Sequence, residues 1–282
     1  MNNIDSLVLS GGGIRGIAFC GCIKFLHEQN ILQNIKNIAG TSAGSIIALL
    51  ISIGYNYDEL EEIILNLDFN QFKDNTFFSE MYNLYNNYGL HSGNKLLEYI
   101  KNLIKNKTGN GDYTFEQLYK DKKINLVITS SCLNQEKEYY FSYENYPDLS
   151  IAKACRMSMA IPFIFESVKF NGDIFVDGGL LNNYPIWIFG RDNPNVLGLK
   201  LSQIDLISID RPIKSFYDYS LQILNSMFLE MEKTKIDDCY WDKTIIINTL
   251  GISSSDFNIN IKQKQELIKS GYECISKKLI YK

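Results

Sequence analysis

The chain has 282 residues, 28 basic against 32 acidic side chains for a formal charge of −4, and 45% hydrophobic residues, enough to bury a full core, as one large α/β domain or two small ones. Its charges are scattered, with no basic stripe, so nucleic acid is not an expected partner. No run reaches the roughly 18 apolar residues of a membrane span, Met1 to Ser6 lacks a basic leader, and the six cysteines (Cys20, Cys22, Cys132, Cys155, Cys239, Cys274) fit neither a zinc site nor a disulfide scaffold, so the expectation is a cytoplasmic protein with reduced, mostly buried thiols, soluble or peripheral at membranes.

Leu7-Val8-Leu9 is a short apolar strand that runs into Ser10-Gly11-Gly12-Gly13-Ile14-Arg15-Gly16, a tight turn before a helix. From Gly16 to about Gln29, Phe19, Cys22, Ile23 and Leu26 recur on one helical face. The plan then repeats: Ile35 to Ala39 as strand, Gly40 to Gly44 as turn, Ser45 to Ile53 as apolar helix. Two strand-turn-helix units in succession predict a parallel sheet flanked by helices.

Residues 58 to 108 read as helical. Strands resume at Ile124 to Thr129, Tyr139 to Phe141, Ile174 to Val176, Val196 to Leu199 and Thr244 to Ile247, and helices at about 215 to 235 and 262 to 278 end the chain. Without a repeat or linker, residues 1–282 read as a single domain: its chemical motifs lie within 6–190, and 191–282 complete the fold.

Gly40-Thr41-Ser42-Ala43-Gly44 fits the G-x-S-x-G pattern between an apolar strand and an apolar helix, the setting of a nucleophile elbow. The helix N-terminus favours negative charge on Ser42. A plain N-cap serine between packing glycines is the bland reading. A serine needs a base, and the two histidines serve poorly: His27 flanks a helix face and His91 lies in the loop Tyr88 to Gly93. Asp177 ends an apolar strand and precedes Gly178 and Gly179, so a partly desolvated carboxylate there would be a base, although an ordinary Asp-Gly turn has the same sequence. Asp173, at the other end of that strand, should lie on the wrong edge. The loop of Gly11, Gly12, Gly13, Ile14, Arg15 and Gly16 offers successive backbone N–H groups to an oxyanion, with Arg15 to orient the loop or neutralise charge. Gly11, Gly13 and Gly16 also satisfy G-x-G-x-x-G. A dinucleotide site would want an acid at the end of the second strand, and Ala39-Gly40-Thr41-Ser42 has none.

The glycine loop with Arg15, the elbow and Asp177-Gly178-Gly179, together with Ala154 to Pro162 and Leu180 to Pro185, resemble patatin-like phospholipases in order and spacing. Tyr113 to Leu118 and Gly251 to Ser253 extend a fainter similarity over nearly the whole chain. The resemblance implies an architecture related to the α/β-hydrolase fold, a Ser42–Asp177 dyad without histidine, hydrolysis of lipid acyl esters, and neither metal nor cofactor in that chemistry. The expected partner is membrane or micellar lipid. A catalytically silent lipid- or partner-binding module of the same fold is the alternative. Phe69, Phe72, Phe77, Phe78, Met81, Tyr82, Leu84, Tyr85 and Tyr88 suit either an amphipathic lid or core packing. Phe216, Tyr219, Ile223, Met227, Phe228 and Met231 read as a core-facing helix stripe.

Overall fold

The computed structural model describes residues 4–74, 77–201, 212–234 and 238–280. The strands are β1 (Ser6–Leu9), β2 (Asn37–Thr41), β3 (Gly89–His91), β4 (Asn125–Cys132), β5 (Lys137–Phe141), β6 (Phe163–Phe165), β7 (Val168–Phe170), β8 (Asp173–Asp177), β9 (Val196–Leu201) and β10 (Thr244–Ile247). The helices are α1 (Ala18–Glu28), α2 (Ala43–Ser52), α3 (Tyr57–Asn66), α4 (Phe77–Asn87), α5 (Asn94–Thr108), α6 (Phe115–Lys122), α7 (Ile151–Ser158), α8 (Phe216–Thr234), α9 (Asp238–Trp241) and α10 (Ile261–Ile280). Together they form a single α/β domain. Its main sheet runs β10-β9-β1-β2-β4-β8-β7, with β5 on β4. From β10 to β4 the neighbours are parallel.

The central strands are apolar on both faces because both are covered: Leu7, Leu9 and Ile38 pack in the cluster that holds α1, α2 and α10, whereas Val8, Ala39 and Val127 pack against Tyr184, Ile186 and Tyr240 of α9. Leu7, Val8 and Leu9 are fully buried, as buried parallel strands require. Helix α1 departs from a one-faced amphipathic helix: Cys20 and Phe25 are as buried as Phe19, Cys22, Ile23 and Leu26. The cause is α10, which packs so close that a Cβ on Gly271 would stand 1.9 Å from the Ala18 carbonyl oxygen. The C-terminal helix thereby seals α1 against the sheet.

Antiparallel pairing enters at β4, which is long enough to serve three partners. One edge pairs with β5 from Ile128 to Cys132. The other pairs with parallel β2 as far as Thr41 opposite Thr129, and then with antiparallel β8 from Asp177 opposite Ser130 to Phe175 opposite Cys132.

Several expectations need correction. Helix α7 is short and lies outside the expected helices, the short strands β3, β6 and β7 lack a clear local pattern, and β3 interrupts the region expected to be wholly helical. The thiols, by contrast, are mostly buried as expected: Cys20, Cys22, Cys132 and Cys155 are buried, and Cys239 is exposed. The stripe on α8 does not face the core: Phe216, Tyr219, Ile223 and Met227 are 41–52% exposed. The helix rests instead on the flank that carries Ser220 and Leu224, which leaves an apolar face uncovered. The side chains of Phe228 and Met231 lie outside the described residues, as do those of Phe77, Phe78 and Met81. Phe72 is buried, whereas Tyr82, Tyr85 and Tyr88 are exposed. Among the described residues no helix is long and apolar enough to cross a membrane.

Candidate active site

β2 and β8 approach along the same edge of β4 from opposite directions, so the residue after one strand meets the last residue of the other. Ser42 follows β2 and Asp177 ends β8. The Ser42 hydroxyl donates to Asp177 Oδ2 at 2.7 Å, and the Gly179 N–H donates to Oδ1 at 2.8 Å. Asp173 sits four residues back on β8, roughly 13 Å at a strand's rise, where it accepts from Gln135 Nε2.

The chain turns sharply at Ser42, with φ 49° and ψ −122°. Such backbone costs a side-chain-bearing residue about 1–3 kcal/mol, and the surroundings hold it in place. The Ser42 N–H donates to Ser158 Oγ at 2.8 Å, and the Ser42 carbonyl accepts from Ser45 Oγ at 2.6 Å. The flanking glycines allow the crossing of strand and helix: a Cβ on Gly44 would lie 2.5 Å from the Ser10 carbonyl oxygen, and one on Gly40 would lie 2.4 Å from that of Gly44. The turn leaves Ser42 at the N-terminus of α2, where the helix dipole favours negative charge.

Burial dominates the electrostatics. Asp177 is 3% exposed, and desolvation lifts its pKa from 3.8 to about 6, against the lowering effect of the Ser42 and Gly179 hydrogen bonds. A carboxylate so raised is a stronger proton acceptor than one in water and is still ionised near neutrality.

The glycine loop lies alongside. Its N–H groups are not equivalent: Gly11 donates to Asn183 O at 3.0 Å, Ile14 to Ser254 O at 3.0 Å and Arg15 to Gly12 O at 3.3 Å. Among the described residues those of Gly12 and Gly13 have no protein acceptor, and both glycines line a cavity with Ser42 and Asp177. Arg15 is buried, and its Nε donates to Gly12 O at 3.1 Å. In a trans peptide the C=O and N–H point oppositely, so the grip of Arg15 on the Gly12 carbonyl sets the direction of the Gly13 N–H. Gly13 has φ +58°, and a Cβ there would meet Ser254 O at 2.1 Å. The expected loop, elbow and aspartate are thus brought together. Ser158, Asn183 and Ser254, which hold them, are not among the expected site residues, although Ser158 and Asn183 lie within the stretches Ala154 to Pro162 and Leu180 to Pro185 that carry the resemblance.

Neither histidine joins them. His27 is exposed. His91 belongs to β3 rather than a loop, is buried, and lines a cavity that also touches Ser42. Its Nδ1 lies 4.0 Å from Glu80 Oε1, burial holds its pKa below the usual value, and no hydrogen bond joins it to Ser42 or Asp177.

Three spaces meet here. One of about 570 Å³ has a polar wall from Asn183, Asn225, Ser254 and Ser255 and contains Asp177. A vestibule of about 640 Å³ touches Ser42, Ala43, Phe69 and Phe72. Behind it lies an apolar cavity of about 620 Å³.

Residues 7–189 match the patatin-like phospholipase family. An uncharacterized protein, R571, of Acanthamoeba polyphaga mimivirus is 35% identical over 286 residues, covering 99% of this chain and 95% of the viral protein. Probable lipid hydrolase 463L of Invertebrate iridescent virus 6 is 31% identical over 186 residues, 64% of this chain and 61% of its own. Among solved structures, VipD from Legionella pneumophila shares the fold with a TM-score of 0.68 at 19% identity, over 99% of this chain and 67% of VipD.

Proposed function

The chain belongs to the patatin-like phospholipase family of serine lipid hydrolases, and from that premise we propose that Ser42 and Asp177 work as a dyad without histidine on carboxylic esters of membrane lipids, as a phospholipase A or lysophospholipase. The observation that carries this reading is the buried 2.7 Å hydrogen bond from Ser42 Oγ to Asp177 Oδ2.

In the first half-reaction Asp177 takes the hydroxyl proton as Ser42 Oγ forms a bond to the ester carbonyl carbon. The carbonyl oxygen becomes an oxyanion and accepts from the Gly12 and Gly13 N–H groups, whose donors are in place before charge develops. Collapse breaks the bond to the alcohol oxygen, which leaves with the proton from Asp177. Water then gives a proton to Asp177 and attacks the acyl-enzyme, releasing the fatty acid and restoring Ser42. Gly40, Gly44, Gly178 and Gly179 hold the frame.

Labelling with a fluorophosphonate tests the nucleophile and separates the enzyme from a silent binding module. Wild type should label at Ser42, while Ser42→Ala and Asp177→Asn should lose ester turnover by at least about a thousandfold. Folded protein that does not label, or either variant turning over near the wild-type rate, would sink the dyad.

Contact with the lipid surface is assigned to the exposed stripe Phe216, Tyr219, Ile223 and Met227 on α8, because Leu221 and Leu224 of the same helix line the polar cavity at Ser42. Paired Ile223→Asp and Met227→Asp substitutions should weaken sedimentation with phosphatidylcholine vesicles. Undiminished binding would reject this surface.

A further inference from the structure

Resting on the dyad reading above, we infer that the apolar cavity along α2 receives the acyl chain, that the leaving alcohol exits through the polar cavity, and that Leu50, Ile64 and Leu103 limit the chain length accepted.

The position of the base assigns the two arms. Asp177 must return its proton to the alcohol oxygen as the ester breaks, so that oxygen has to lie on the Asp177 side of Ser42. Asp177 lines the polar cavity and neither of the apolar spaces. The alcohol is therefore placed among Asn183, Asn225, Ser254 and Ser255, and the acyl group is left to the vestibule. From there, away from Asp177, the vestibule continues along apolar walls. Ala43, Phe69, Phe72, Leu96 and Met159 line both the vestibule and the deeper cavity.

The deeper cavity follows the nucleophile's own helix. Ala43, Ile46, Ile47 and Leu50 line it at the spacing of one helical face, which starts one residue after Ser42 and advances about 10 Å along the axis. Ile63, Ile64 and Leu67 on one side, with Ile100 and Leu103 of α5, close it. None of the described residues that line it is charged, so a phosphate or sugar there would lose its water without compensation. An alkyl chain would lose none, and each methylene buried should raise kcat/KM about fourfold until the end wall is met.

The test measures kcat/KM on p-nitrophenyl acetate, butyrate, octanoate and laurate. Wild type should gain with each added methylene and then level off. Leu50→Trp plugs the buried wall, and Leu67→Trp plugs the half-buried rim in case the first disturbs folding. In either, the laurate-to-acetate ratio should fall at least tenfold, and a ratio within twofold of wild type in both would overturn the assignment. Calorimetric binding of laurate to Ser42→Ala protein gives a readout independent of turnover. Binding that is weakened at least tenfold by Leu50→Trp, in a protein that hydrolyses no ester, would keep the acyl site and reject the dyad. Hydrolysis with an unaltered chain-length profile and unaltered laurate binding would do the reverse.

Discussion

Ser42 Oγ and Asp177 Oδ2 stand 2.7 Å apart because β2 and β8, running in opposite directions, end against each other on one edge of β4. No sequence neighbourhood joins the two residues, which are 135 positions apart. The approach depends on one long strand that offers the first part of an edge to a parallel partner and the rest to an antiparallel one.

Activity should follow the ionisation of Asp177. Desolvation holds its pKa at about 6, and only the carboxylate can take the Ser42 proton. The profile of kcat/KM, which reports the free enzyme, should fall as pH drops through about 6 and be flat above it. The limb should stay in place in His91→Gln, since that imidazole makes no hydrogen bond to the dyad. A limb near 4, or one that moves with His91, would contradict the assignment.

The same burial predicts an exchange of stability for function. The folded-state pKa of Asp177, about 6, is above the ordinary 3.8, so the fold prefers the neutral acid. The favourable contribution is fully present below 3.8 and is lost as pH rises through about 6. The cost of the charged form above that range is at most about 3 kcal/mol, at 1.36 kcal/mol for each pKa unit. Asp177→Asn, inactive, should therefore unfold at higher urea than wild type at about pH 8, and the gain should vanish below about pH 4. A less stable variant at the higher pH would reject the desolvation argument.

Ser158 should matter without touching substrate. Its hydroxyl accepts from the Ser42 N–H at 2.8 Å, and Ser158→Ala would leave that buried donor unpaired at a cost of about 1–3 kcal/mol. Release of the strained turn should lower kcat between about tenfold and a hundredfold, with KM changed much less. Ser158→Thr, which keeps the hydroxyl, should recover most of the loss. Equal kinetics in the alanine variant and wild type would show that the turn holds without this bond.

Arg15 should act through Gly12. Arg15→Met keeps an apolar stem but removes the Nε bond to the Gly12 carbonyl, which leaves that oxygen the longer bond from the residue-15 N–H at 3.3 Å and the direction of the Gly13 N–H less firmly held. The upper bound is the loss of one oxyanion donor, about a hundredfold to a thousandfold in kcat. The rate of fluorophosphonate labelling at Ser42 should drop in parallel, because the phosphonyl oxygen uses the same donors. Arg15→Lys should not restore it, as its ammonium lies beyond the Nε position. Wild-type labelling in Arg15→Met would separate Arg15 from the oxyanion loop.

What could be read in the sequence is what short stretches of chain enforce. Gly40 and Gly44 stand where a Cβ would strike backbone oxygen, so the elbow leaves its mark within five residues. The first two strand-turn-helix units are legible for the same reason, as are β9, β10 and α10, whose apolar or periodic pattern is local. Asp177-Gly178-Gly179 is visible as a strand end. What it meets is not visible, since the direction of β8 and its place beside β2 are settled by pairing with β4. The oxyanion loop shows a similar division. Six residues announce a nest, but which N–H groups stay open depends on Asn183 and Ser254, each more than 160 positions away and taking one donor. The stripe on α8 had the period of a buried helix face, and a period alone cannot say whether anything covers it. Local sterics and periodicity thus determined the parts of this site, whereas strand order, burial and long-range hydrogen bonds decided how they act together.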